Sequence, residues 1–210
     1  PRILETSAQQ ETAPANSART GSDAKSAQSA SQGHETTQAL IARLTSPLQD
    51  RALAAFRLGE QGDDATVRAL INALKDKHWR VRDRAAEALY KLRDPRAVGA
   101  LIKALDDPVW RVRFWAAKAL GRLKAAEAVP RLIKAIYDEH PAVTEHAALT
   151  LADIKDPRGL VALTKALESA PASAGAGLSP RRRGVEVRNS AAGALGQWGG
   201  DEVVPALAKA

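Results

Sequence analysis

Residues 76–89 read Asp-Lys-His-Trp-Arg-Val-Arg-Asp-Arg-Ala-Ala-Glu-Ala-Leu, and residues 107–120 read Asp-Pro-Val-Trp-Arg-Val-Arg-Phe-Trp-Ala-Ala-Lys-Ala-Leu. One unit is written twice. Trp79 and Trp110, Val81 and Val112, Arg82 and Arg113, Leu89 and Leu120, Leu92 and Leu123, and Leu101 and Leu132 each stand 31 residues apart. A fixed period of that length marks a stack of repeated supersecondary units.

Within the unit, Val81, Ala85, Ala88, Leu89 and Leu92 fall at i, i+4, i+7, i+8 and i+11, the stripe of a helix and not the alternation of a strand. This is helix A. Asp94, Pro95 and Arg96 then supply a capping carboxylate and a proline suited to a first turn, and Val98, Leu101, Ile102 and Leu105 form a second stripe. This is helix B, and the two make an antiparallel hairpin.

Outward from this centre, the period predicts a half repeat over 36–47, repeats over 48–77, 78–107, 108–139 and 140–168, a loop insertion over 169–183 and a partial repeat over 184–210. After the insertion the pattern returns displaced by 44 residues, so that Ala148, Leu151, Ile154, Leu160 and Leu163 become Ala192, Leu195, Trp198, Val204 and Leu207. Trp198 is thereby expected in the core. Residues 1–35 are rich in Ser, Ala, Gln and Thr and poor in large apolar residues, and read as a disordered tail or linker. The fold class predicted is all-α, a right-handed α-solenoid of stacked antiparallel helix pairs over residues 36–210.

With 45% hydrophobic but only 4% aromatic residues, the composition fits helices packed through small side chains. The absence of cysteine excludes disulfides, thiolate metal sites and cysteine nucleophiles, and leaves the compartment open. No apolar run has the length of a membrane span, so no membrane insertion is expected. The net charge of +7 permits acidic partners without demanding them. The chain opens at Pro1 and ends at Ala210 inside a helical pattern, which reads as the recognition part of a larger protein.

The pattern Val112, Arg113, Ala116, Ala117, Ala119, Leu120, Gly121, followed by Ala128, Val129, Leu132, Ile133 and Ala135, resembles the HEAT-like repeat of the phycobilisome-lyase type. That resemblance implies an α-solenoid used by scaffolds, regulators, bilin lyases and some nucleic-acid binders. It also implies an aspartate and arginine ladder, placing Asp76 with Arg82 and Asp107 with Arg113, and interrupted where Thr144 replaces the arginine. In similar solenoids helix B lines the concave face, where Lys103, Lys134, Lys165 and Lys209 recur at one position, with Asn72 in the first repeat.

Two surfaces are candidates for partner binding. Trp79 and Trp110 stand beside Arg80 and Arg111, and Phe114 and Trp115 occupy positions held by Asp83 and Arg84 one unit earlier, which predicts their exposure. Tryptophan with arginine is the pairing enriched in binding hot spots. The helix B lysines Lys103, Lys134 and Lys165, with Arg96, Arg131 and Arg158, could instead follow phosphates or an acidic groove. Arg181, Arg182 and Arg183 form a candidate anion-binding loop. Each surface also has a plain explanation as inter-repeat packing or solvated charge.

Catalytic groupings are not legible. His34-Glu35-Thr36-Thr37-Gln38 lacks the second histidine of a zinc protease helix, and Glu145-His146 reverses the pair that a di-iron solenoid would use. Gly175 and Gly177 lack the lysine and helix of a phosphate loop. No cofactor, metal or catalytic residue is expected. The leading reading is a non-enzymatic protein-binding or scaffolding module; the second is a nucleic-acid-binding solenoid, and the third, from resemblance alone, a bilin-lyase-like subunit.

Overall fold

The computed structural model describes residues 35–169, 180–199 and 203. The predicted tail over 1–34, the centre of the insertion, Val204, Leu207 and Lys209 lie outside them. Residues Thr37–Ala210 form a compact unit of their own. Among the described residues the regular structure is entirely helical: α1 Thr37–Arg43, α2 Leu48–Leu58, α3 Asp64–Ala73, α4 Trp79–Leu92, α5 Val98–Ala104, α6 Trp110–Arg122, α7 Val129–Ala135, α8 Pro141–Ile154, α9 Pro157–Ser169 and α10 Pro180–Trp198. Short 3-10 turns at Pro95–Ala97 and Ala126–Ala128 lead into α5 and α7.

The chain is an α-solenoid. The A helices α2, α4, α6, α8 and α10 pack on one another in series, and each B helix of α3, α5, α7 and α9 packs against the A helix that follows it. The sequence period becomes a period in burial. Val81, Val112, Val143 and Val187 are buried at one position, Ala54, Ala85, Ala116, Ala147 and Ala191 at a second, and Leu58, Leu89, Leu120, Leu151 and Leu195 at a third. The final step in each row is the displaced one of 44 residues. Trp198 is buried, while Ala192 is exposed.

Small residues are required because the A helices approach closely. A Cβ added at Gly59 would lie 2.8 Å from the Ala88 Cβ and 2.9 Å from its Cα. At Gly121 an added Cβ would meet the Thr150 hydroxyl oxygen at 2.9 Å, and that hydroxyl donates to the Ala117 carbonyl at 3.0 Å.

The start of each helix follows local chemistry. Asp63 accepts the Thr66 amide at 2.7 Å, and Asp94 and Asp156 accept the amides of Arg96 and Arg158, each at 2.9 Å. The equivalent position in the third repeat is Ala125, which has no side chain to cap with. The A helices close on a left-handed residue at Gly62, Arg93, Lys124, Lys155 and Gly199, with φ of 75°, 54°, 48°, 58° and 113°. These obey the same period.

The arginine ladder exists but runs to a different partner. Arg82 Nε and Nη2 donate to Asp107 at 2.6 and 2.9 Å, and its Nη1 donates to the Asp76 carbonyl at 2.9 Å. Arg113 repeats this with Asp138, at 2.7 and 2.8 Å, and with the Asp107 carbonyl at 2.7 Å. Each guanidinium therefore takes the backbone of the aspartate before its helix and the carboxylate of the aspartate after it, so Asp76 is not the carboxylate partner of Arg82. Arg51, one period earlier, lies 3.1 Å from Asp76, without an aligned hydrogen bond. The ladder ends at Thr144, whose hydroxyl reaches the Asp138 carbonyl at 3.3 Å and extends no further.

Two outcomes test this account. Gly59→Ala is expected to lower stability by about 1–3 kcal/mol through overpacking, whereas Gly99→Ala, with nothing within 4 Å of the added Cβ, raises it by about 0.5–1 kcal/mol; urea unfolding of both measures the contrast. Arg113 is 7% exposed, and Arg113→Ala, which leaves Asp138 without its guanidinium, is expected to cost about 2–4 kcal/mol in the same measurement.

Candidate functional site

Trp79 and Trp110 open α4 and α6 and are 36% and 37% exposed. The Arg80 guanidinium lies 5.5 Å from the Trp79 ring centroid, and that of Arg111 lies 5.9 Å from the Trp110 ring. Trp110 also stacks on His140, with centroids 3.7 Å apart and planes within 5°. His140 caps α8 through Nδ1, which accepts the Ala142 amide at 3.3 Å. Trp110 thus joins two repeats while keeping part of its surface in water; for its counterpart Trp79 the residue equivalent to His140 is Val109, which has no ring to stack, and Trp79 instead stacks loosely on its own neighbour His78, at 6.3 Å.

Phe114 and Trp115 are half-buried, contrary to the exposure inferred from their polar counterparts. The inference fails at its premise, because Asp83 is itself 3% exposed and bound by Arg111 at 3.0 Å. Phe114 meets Trp115 and His146 edge-on at 5.2 and 4.6 Å, and Trp115 meets Tyr90 at 5.5 Å. Lys118 Nζ lies 5.0–5.2 Å from the Tyr90, Phe114 and Trp115 rings. Aromatic contacts of this geometry contribute about 0.5–1.5 kcal/mol each, so the cluster ties α4, α6 and α8 together. Tyr90, Lys118 and His146 were missed in the sequence. The available signal was the i+4 step from Phe114 to Lys118, which places a cation beside the ring on one helix face.

The helix B cations divide into two sets. Lys103, Lys134 and Lys165 are exposed at one repeat position. Arg96 is held by Asp94 at 2.6 Å and Asp64 at 2.8 Å, Arg131 pairs with Asp106, and Arg158 pairs with Asp156 at 2.8 Å. These arginines therefore meet carboxylates of the chain itself. The hydrogen bond from Arg158, with that of its own amide, draws the Asp156 carboxyl down to about 2, and Arg96 lowers Asp94 in the same way.

Arg181, Arg182 and Arg183 fall in the first turn of α10, so their backbone is helical and not a loop tip; their side chains lie outside the described residues. Among the described residues, no group of three or more His, Cys, Asp or Glu is placed to hold a metal ion, and no helix is long and apolar enough to cross a membrane.

A family model for HEAT repeats matches residues 37–120 and 100–175. The chain belongs to the HEAT repeat family. No curated protein sequence matches it. Among solved structures, it is similar to the complex of CpcE and CpcF of phycocyanin lyase from Nostoc sp. PCC7120, with 24% identity over 96% of this chain and 98% of that one and a TM-score of 0.50. A designed armadillo repeat protein matches at 21% identity over 83% of this chain and 87% of that one, with a TM-score of 0.55. Another, in complex with the peptide (KR)4, matches at 21% identity over 84% and 91%, with a TM-score of 0.51. At these identities the likeness establishes the solenoid and leaves the partner to the surface of this HEAT chain.

The pairing of Arg158 has a direct check. The folded-state acidity of Asp156 is increased, so the ion pair contributes stability above the ordinary carboxylate range near about pH 4 and loses it as pH falls through about 2. In Arg158→Ala, carboxyl-detected NMR titration is expected to return Asp156 toward its ordinary value.

Proposed function

We propose that this HEAT chain is a non-enzymatic protein-binding or scaffolding module, with its contact surface at the edge where the A helices begin. The observation that carries this reading is the recurrence of an exposed tryptophan beside an arginine at one position of successive repeats, Trp79 with Arg80 and Trp110 with Arg111. A solenoid offers a partner a repeating surface, and large amphipathic side chains at its rim bury area at low entropic cost. Phe114 and Trp115 then act from beneath by fixing the A helices that hold the two indoles.

Nucleic-acid binding is the second reading, supported by the exposed row Lys103, Lys134 and Lys165. Its weight is reduced because Arg96, Arg131 and Arg158 already have carboxylate partners. The likeness to the CpcE and CpcF complex concerns fold, so a bilin-lyase-like role rests on the resemblance alone.

Affinity capture with the wild type and with the Trp79→Ala, Trp110→Ala double variant, followed by quantitative mass spectrometry, tests the first reading. Loss of a reproducible protein partner by about tenfold, with unchanged helical circular dichroism, is expected for removal of two rim anchors. Equal capture by both proteins would exclude this edge. Affinity for an oligonucleotide that falls steeply between low and moderate salt would favour the second reading.

A further inference from the structure

At the opposite ends of the A helices, the left-handed closing residues form a row with its own chemistry. Gly62 and Gly199 occupy the outer positions, but the three between them are Arg93, Lys124 and Lys155. A left-handed backbone selects glycine, which lacks the Cβ that crowds this conformation. A cation at all three inner positions therefore stands against the backbone preference. At α4 and α6 attraction to the helix C-terminus does not require it, because Lys91 and Arg122 already bring positive charge to their last turns, whereas at α8 Lys155 is itself the cation that meets the helix end.

These cations also have no acid to meet, unlike the arginines of the ladder and of the helix B turns. Arg93, Lys124 and Lys155 are exposed, and among the described residues none has a carboxylate within ion-pair distance, whereas Arg82, Arg96, Arg113, Arg131 and Arg158 each do. With Arg122, held 4.5 Å from the Tyr90 ring centroid, they line an open cavity of about 420 Å3. The same cavity contains Asp153, whose Oδ1 accepts from Gln197 Nε2 at 2.6 Å.

We propose that this row binds an acidic peptide segment in polyproline II conformation, with a carboxylate at every third residue. Packed helices stand about 8–10 Å apart, which is the step expected between equivalent closing positions on successive A helices. A polyproline II chain has three residues per turn and rises about 3.1 Å per residue, so residues i, i+3 and i+6 share a face at about 9 Å intervals. An extended strand would turn i+3 to the other face. Asp153 favours a peptide over a nucleic-acid backbone, because peptide amides can donate to its carboxylate while phosphodiesters offer only acceptors. This surface is separate from the tryptophan edge, and the two readings stand or fall independently.

Fluorescence anisotropy provides the test, with a labelled peptide of the repeating form Glu-Pro-Ser, a second peptide of identical composition with its glutamates contiguous, and a single-stranded oligonucleotide of equal charge. The informative variant combines Arg93→Gly, Lys124→Gly and Lys155→Gly, which removes the charges while giving the backbone its preferred residue. The spaced peptide is expected to bind the wild type more tightly than the contiguous one. The triple variant is expected to lose affinity by about tenfold with a Tm no lower than wild type. The Trp79→Ala, Trp110→Ala variant is expected to bind the peptide as wild type does. Equal affinity of wild type and triple variant, equal affinity for the two peptides, or tighter binding of the oligonucleotide than of the spaced peptide would each overturn the proposal.

Discussion

No repeat of this chain can bury its apolar face alone, and each depends on the alanine-lined contact that its A helix makes with the next. Ala85 and Ala86 in α4, Ala116 and Ala117 in α6, and Ala147 and Ala148 in α8 are all buried, because side chains this short allow neighbouring helices to approach closely. Where the approach is closest even a methyl group is excluded, as at Gly59 against Ala88. Stability in such an array is a sum of nearest-neighbour terms. A defect in one contact weakens its two repeats first.

The arginine ladder is laid over this contact and does a second job. A guanidinium that bonds both to the loop before its own helix and to the loop after it fixes the distance between consecutive turns, as Arg113 does between Asp107 and Asp138. Those aspartates also organise the start of the next A helix, since Asp107 Oδ1 accepts the Val109 amide and Asp138 Oδ1 accepts the His140 amide. The same structure that holds the repeats in line thereby sets the starts of α6 and α8, where Trp110 and its stacking partner His140 stand. At Thr144 the arginine is gone, and residue 169, where the period would place the next aspartate, is serine. Both halves of that rung are missing together.

Much of the architecture was legible because a repeat states its own register several times. The capping aspartates, the buried leucine rows and the buried Trp198 all follow from spacing. The candidate surface was less legible. Position within a repeat does not fix environment: Asp83 and Phe114 are equivalent by period, yet Asp83 is buried in an ion pair while Phe114 joins an aromatic cluster that Tyr90 and His146 complete from adjacent helices. The ladder that the resemblance implies joins each arginine to the aspartate before its helix, whereas the carboxylate it meets is that of the aspartate after it. A long arginine side chain reaches across a helix packing distance as readily as back along its own turn.

By itself, the sequence determined that this chain is a series of helix pairs with an alanine and leucine core, because hydrophobic periodicity and a 31-residue repeat admit no strand and no single globular core. Only the tertiary structure decided which cations are already paired and which stand free, since ion pairing depends on side chains meeting across repeats. It also decided that Arg93, Lys124 and Lys155 sit in left-handed backbone beside the glycines of the same row. A backbone angle is not written in residue type when the residue occupying it is one that the angle disfavours.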